Sequence, residues 1–444
     1  MLQNRLITAK LLLALGTGYA FAAESPVDDE GARQPPSFSS SAPLALQDAL
    51  AIALANNQGL AELQSQSDAL GAVPSQAGTL PDPTLGFNAL NLPTDTFDRD
   101  QEAMTQMQVT LSQAFPFPGK LGLKREAAQY EAAAAAKRVL DRRLQVAADV
   151  RTAWWELLYL DHALVIVDQN QAVMRDFIEI AQTKYKVGNG LQQDVLLAQL
   201  ELSRLLNREL PLRGMRGSSK AVLNALLDRP ANEPIRIPQA PRNINLPEVP
   251  GETQLLQAAL DARPLLDVQR ERTEAARIRL DLAKKDYYPD FKLGAGYGFR
   301  DGNNPDGSSR ADFASFMLSI NLPIYSRGKQ SKAVEQRSSE YFQRKHRFND
   351  TLRSVQAAIA QNLAQYQASR EQVSLYDTAI IPQAQQTVSA MLSGYQVNKV
   401  DFLNVLNAQI TLYNAQISYW EVLSRAKQSL AKLAASVGSE KLYE

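Results

Sequence analysis

His162 and His346 are the only histidines in a chain of 444 residues, and cysteine is absent. That composition leaves no thiolate nucleophile, no disulfide, no cysteine-bound metal and no thiol for a lipid anchor. Neither histidine stands near a second metal ligand, so a histidine metal site or a catalytic triad is not expected. An enzyme needs a convergent acid, base or nucleophile set, and the sequence offers none. The expectation is a chain without catalysis, cofactor or bound metal. The polar residues that do recur at fixed spacing belong to a motif written twice. Tyr185-Lys186-Val187 with Asp194-Val195-Leu196-Leu197-Ala198-Gln199 returns 210 residues later as Tyr395-Gln396-Val397 with Asn404-Val405-Leu406-Asn407-Ala408-Gln409.

Two further pairs keep nearly that offset. Pro81-Asp82 with Leu85-Gly86 recurs as Pro289-Asp290 with Leu293-Gly294, and Gly119-Lys120 recurs as Gly328-Lys329. Three motifs in one order indicate a tandem duplication. Each half reads helix, strand, strand, long helix. Met107, Val109 and Leu111 alternate with Gln108, Thr110 and Ser112; Phe316, Leu318, Ile320 and Leu322 alternate with Ser315, Met317, Ser319 and Asn321. Phe291, Leu293, Ala295, Tyr297 and Phe299 do the same against Lys292, three glycines and Arg300. Period two with one apolar face predicts half-buried strands. They are placed at about 84–92, 104–115, 290–299 and 313–324, with polar loops between.

The long helix is read from a seam in steps of four and three: Val146, Val150, Ala153, Leu157, Leu160, Leu164, Val167, Met174, Ile178, Ala181 and Tyr185, interrupted only by Gln171. More than five heptads predict a coiled-coil rod on the order of 100 Å long. Trp154 and Trp155 are adjacent, so one is expected to pack and the other to face a surface or interface. Prolines 81, 83, 116, 118, 289 and 323 bracket the strands, where the chain must change direction. Residues 1–22 read as an export signal: Arg5 and Lys10, an apolar run from Leu11, then Ala20-Phe21-Ala22. The first repeat then covers 23–230, a proline-rich linker 231–250, and the second repeat 251–444. Without Arg5 and Lys10, 45 basic residues face 47 acidic ones, which gives no footprint for nucleic acid. Four strands cannot close a membrane barrel, and an open edge in lipid leaves backbone groups unpaired. Closure therefore asks for other copies, and three copies supply twelve strands.

The duplicated halves, the paired strands and the register of both Tyr-x-Val motifs resemble the TolC-like outer-membrane factors, over nearly the whole mature chain. Leu111-Ser112-Gln113-Ala114-Phe115-Pro116-Phe117-Pro118-Gly119-Lys120 is most similar to the cation-efflux, CzcC-like branch. The resemblance implies a homotrimer with a twelve-stranded barrel in outer-membrane lipid and a helical tunnel in the periplasm. It also implies a periplasmic adaptor and an inner-membrane RND pump as partners, with heavy-metal cations as cargo. Drug or organic-compound efflux, type I secretion and a non-transport surface coiled coil are the alternatives. In the family the tunnel narrows at the helix tips. Asp194 matches an aspartate that accepts bonds from the second repeat, and Tyr395 the tyrosine that reaches it. Asn404 and Asn407 stand where aspartate rings form in the type member, and Val400 where an arginine often completes the lock. Asp401, nearby, is the candidate for a carboxylate ring at a shifted level. Val187, Gly188, Gly190 and Leu191, with Val397, Asn398 and Lys399, are the implied adaptor-docking turns.

Overall fold

The computed structural model describes residues 43–238 and 244–443; the expected export signal lies outside them. In the first half, α1 (Leu46–Asn56) and α2 (Gln58–Gly78) lead into strands β1 (Thr84–Leu90) and β2 (Gln106–Phe115). Helix α3 (Lys120–Lys186) and its return α4 (Gln192–Leu226) follow. The second half repeats the order with α5 (Glu252–Ala262), α6 (Pro264–Lys285), β3 (Phe291–Phe299), β4 (Phe313–Ile320), α7 (Gln330–Leu375), α8 (Ile381–Gln396) and α9 (Phe402–Val437).

The heptad seam is realised as α3, 67 residues without a break. Val146, Val150, Leu157, Leu160 and Val167 are fully buried along it, each contributing about 1.5–3 kcal/mol by leaving water. Gln171, the polar interruption, is buried too and donates to Glu209 of α4 at 2.8 Å. The equivalent rod of the second half, Gln330–Gln396, has the same length but holds a π-turn at Tyr376–Ile380. Pro382 follows that turn; lacking an N–H, it cannot satisfy the carbonyl four residues back, and a widened turn absorbs the defect.

Two expectations are corrected by the packing. Tyr185 was assigned to the seam but is half exposed, because it lies in the last turn of α3, beyond the neighbours that bury Ala181. Trp154 and Trp155 are both buried, rather than one facing outward. The seam logic assumes one covered face, whereas α3 is packed by α1, α2, α4, α6 and α9 together. Each indole N–H also finds a partner: Trp154 donates to the Leu44 carbonyl at 2.9 Å, Trp155 to the Tyr443 hydroxyl at 2.6 Å.

The four strands form one antiparallel sheet in the order β1-β2-β3-β4. Its register sets Leu85 beside Leu111, Val109 beside Tyr297 and Leu293 beside Leu318, so that, with Leu90, Phe313 and Met317 on the reverse, most apolar positions fall on one face. That face is uncovered: Phe87 is 75% and Phe316 88% exposed. The other face carries Asn88, Gln108, Thr110, Ser112 and Ser315, with Gln108 donating to Ser315 at 3.2 Å. At Gly298 on this face a Cβ would stand 1.8 Å from the Gln106 side-chain oxygen, so any larger residue there would displace the Gln106 amide. Both outer edges, β1 and β4, have no partner strand among the described residues. No helix among them is long and apolar enough to cross a membrane.

Candidate gate and docking tips

Each rod ends in the same device. At the first tip Gly188 takes φ +80°, its N–H bonds the Tyr185 carbonyl at 3.0 Å, and the Asn189 N–H bonds the Lys184 carbonyl at 2.9 Å. At the second tip Asn398 takes φ +58°, with matching bonds from Asn398 to Tyr395 (3.1 Å) and from Lys399 to Gly394 (2.8 Å). These are Schellman closures, which satisfy the last helical carbonyls and need a left-handed residue that glycine or asparagine supplies. The chain then re-enters a helix from Leu191 or Asp401. Val187, Leu191 and Val397 project outward, each more than half exposed. Gly188, Asn398 and Lys399 are exposed beside them, and Gly190 is half-buried.

Behind the turns, Tyr395, Phe402 and Phe177 build an aromatic plug. Ring centroids lie 5.3 Å apart for Tyr395–Phe402 and 6.1 Å for Phe177–Phe402. Asp194, in the first turn of α4, is buried against this plug. Burial raises its pKa above the ordinary 3.8 and Asp401 adds to the rise, while the Leu191 backbone, Tyr395 and Lys184 oppose it. Burial likewise raises the Tyr395 phenol, with the Asp194 charge second. The two groups thus face each other closely enough to interact, yet the Tyr395 hydroxyl has no hydrogen-bond partner of ordinary geometry. Geometry is the stricter criterion, so Tyr395 and Asp194 are a contact held short of a bond. Asp401, Asn404 and Asn407 are exposed, and Asp401 acts on Asp194 through its charge.

The family of outer membrane efflux proteins matches residues 49–228 and residues 255–439. The chain belongs to that family. It is 24% identical over 435 residues to the cobalt-zinc-cadmium resistance protein CzcC of Cupriavidus metallidurans, covering 97% of this chain and 99% of that one. Among solved structures it resembles the outer membrane protein VceC of Vibrio cholerae, with TM-score 0.74, 22% identity and coverage of 90% and 97%. It also resembles the outer-membrane channel OprN, with TM-score 0.75, 15% identity and coverage of 89% and 90%. The likeness is therefore to TolC-like outer-membrane factors, on the CzcC-like side.

In this outer membrane efflux protein the strongest tie between the tips is a residue that sequence reading passed over. Lys184 of α3 donates to the Tyr395 carbonyl at 2.5 Å and to the Asn398 side-chain oxygen at 2.6 Å. Its ammonium also sits 4.2 Å from the centre of the Tyr395 ring. One cation thereby holds the end of the second rod against the first. The available signal was its place directly before the repeated Tyr-x-Val motif, where the second repeat has Gly394.

The buried Asp194 predicts a pH response. A carboxyl whose pKa is raised in the closed tip binds its proton more tightly there than when opened to water. Closure is therefore favoured as pH falls toward 3.8, and that advantage is lost as pH rises through the raised value. Single-channel conductance in planar bilayers should rise with pH across that window, and Asp194→Asn should flatten the profile. An unchanged profile in the variant would separate Asp194 from gating.

Proposed function

We propose that three copies close a twelve-stranded barrel in the outer membrane and that their rods form a continuous periplasmic tunnel. The assembly is the exit duct of a tripartite efflux system. A periplasmic adaptor docks on the exposed Val187–Leu191 and Val397–Lys399 turns, and an RND-type inner-membrane pump supplies the cargo. The observation that carries this reading is the sheet: an uncovered apolar face, a polar reverse face and two open edges. In water such a surface aggregates; in lipid the apolar face is solvated and only the edges need partners. Two rods about 100 Å long descend from it, far more helix than a barrel needs for anchorage.

Heavy-metal cations are the proposed cargo, supported by the end-to-end likeness to a protein named for cobalt, zinc and cadmium resistance. The sheet's polar face, largely serine, threonine, asparagine, glutamine and glycine, does not itself select, so selection lies with the pump. Native mass spectrometry in detergent tests the assembly: a trimer is expected, and a stable detergent-free monomer overturns it. Deletion of the gene tests the cargo. Sensitivity to zinc, cobalt or cadmium supports it, whereas sensitivity confined to dyes and organic compounds, or loss of a secreted protein, transfers the duct to another system.

A prediction follows for the exposed tip positions. Asn404→Asp adds a carboxylate to each copy, a ring of three at one aperture. Cation selectivity should increase, and block by multivalent cations should strengthen because attraction scales with charge. Reversal potentials in a salt gradient measure the first and titration with a trivalent cation the second. Wild-type values in both would remove Asn404 from the aperture.

A further inference from the structure

The seam between β2 and β3 joins the two halves of the duplication, and it is locked at its foot. Lys120, at the start of α3, is buried and lies 2.9 Å from Asp290 Oδ1 and 3.1 Å from Asp286 Oδ1. The Phe117 N–H donates to the same Asp290 oxygen at 2.7 Å. By the duplication, the counterpart of Lys120 is Lys329 and that of Asp290 is Asp82. Both counterparts are exposed, and neither makes an ion pair among the described residues. Asp82 lies just before edge strand β1 and Lys329 just after edge strand β4. Within one chain the other two strands separate them. The lock is therefore complete at the internal seam and split in two halves at the open edges.

The register can be carried across in the same way. Leu111-Ser112 and Pro116 match Leu318-Ser319 and Pro323 at a separation of 207, and Pro81-Asp82 matches Pro289-Asp290 at 208. Applied to the observed pair Thr84–Ser112, these offsets give Lys292–Ser319, which is also an observed pair. Applied to the internal seam, Ser112–Gly294 and Leu111–Ala295 become Ser319 opposite Gly86 and Leu318 opposite Phe87. Ile320 then meets Leu85, Leu318 meets Phe87 and Ser319 meets Gly86; a one-residue slip would exchange the faces.

We propose that Lys329 of one copy pairs with Asp82 of the next, at the foot of a β4–β1 seam in which Ser319 stands opposite Gly86. This rests on the trimeric reading and specifies its contacts. Two differences from the internal lock are built in. The counterpart of Asp286 is Gly78, so Lys329 meets one carboxylate where Lys120 meets two. Two additional residues between Pro323 and Gly328 lengthen its approach.

The cysteine-free chain makes the register directly testable. Gly86→Cys with Ser319→Cys should yield linked chains on non-reducing denaturing gels. A link between β1 and β4 can form only between copies, since inside one chain these strands lie three spacings, about 14 Å, apart, beyond disulfide reach. Asn88→Cys with Ser319→Cys, displaced by two residues, should link poorly. Asp82→Lys and Lys329→Asp should each raise the monomer released by mild heating in detergent about tenfold, because each leaves like charges facing across the seam. The double reversal should restore most of the loss. A trimer by native mass that links in the displaced pair, or whose reversals are silent or not rescued, overturns this seam and leaves the trimer standing. A monomer by native mass overturns both.

Discussion

Lys184→Met should raise the single-channel conductance of the purified protein in planar bilayers, and more than any other single change at the tips. Methionine keeps the unbranched stem and its packing but removes the ammonium. Three interactions go with it: the bond to the Tyr395 carbonyl, the bond to Asn398 and the contact with the Tyr395 ring. A hydrogen bond from a charged donor contributes about 1.5–3 kcal/mol. The Asn398 bond is exposed and belongs at or below the bottom of that range. Even the lower figure shifts an open-to-closed ratio about tenfold per tip, and the proposed aperture has three tips. The Tyr395 hydroxyl makes no hydrogen bond to Asp194 that would compensate. Lys184→Arg should retain most of the closure, since a guanidinium can reach the same carbonyl. Conductance at the wild-type level in Lys184→Met would mean that the tips are held by the aromatic plug alone. In that case Phe402→Ala should open them instead.

The rods and strands could be read from residue types because each has a simple period. A four-three seam on α3 and alternation along most of β2, β3 and β4 leave little choice of element, and burial at Val146, Leu157 and Val167 follows the seam. What periodicity does not contain is the number of neighbours around a helix. That is why one of two adjacent tryptophans was expected at a surface, while α3, wrapped by five helices, buries both. Tyr185 shows the opposite error: the heptad continues in sequence after the packing partners have ended. At the tips the repeated motif coincides with two turns, and Gly188 and Asn398 both take the left-handed backbone that closes them. The tie itself leaves only its place beside the motif as a signal, because Lys184 has no lysine counterpart in the second repeat. A search for what the halves share cannot find what they do differently.

That difference has its own logic and yields the last prediction. Superposing the repeats by 210 residues aligns Lys184 with Gly394 and Gly190 with Val400. In each tip the chain after the turn crosses back over the end of the rod, and one of the two crossing residues must lack a side chain. At the first tip the rod carries the bulk: a Cβ on Gly190 would stand 2.8 Å from Lys184 Cβ and 3.0 Å from the Tyr185 backbone nitrogen. At the second tip the crossing segment carries it: a Cβ on Gly394 would stand 2.5 Å from a Val400 methyl. Gly394→Ala should therefore force the Val400 segment away from α8 and strain the bond from Lys399 to the Gly394 carbonyl. Overpacking of this kind costs about 1–3 kcal/mol. Limited proteolysis after Lys399 should quicken by about tenfold or more, at 1.4 kcal/mol per factor of ten. Adding Val400→Gly removes the obstructing methyls and recreates the arrangement of the first tip, so the double variant should return toward wild-type protection. Gly190→Ala offers no such rescue, because its obstacle includes backbone that no substitution at Lys184 can move. If Val400→Gly fails to restore Gly394→Ala, the clash at the second tip is not what selects glycine there.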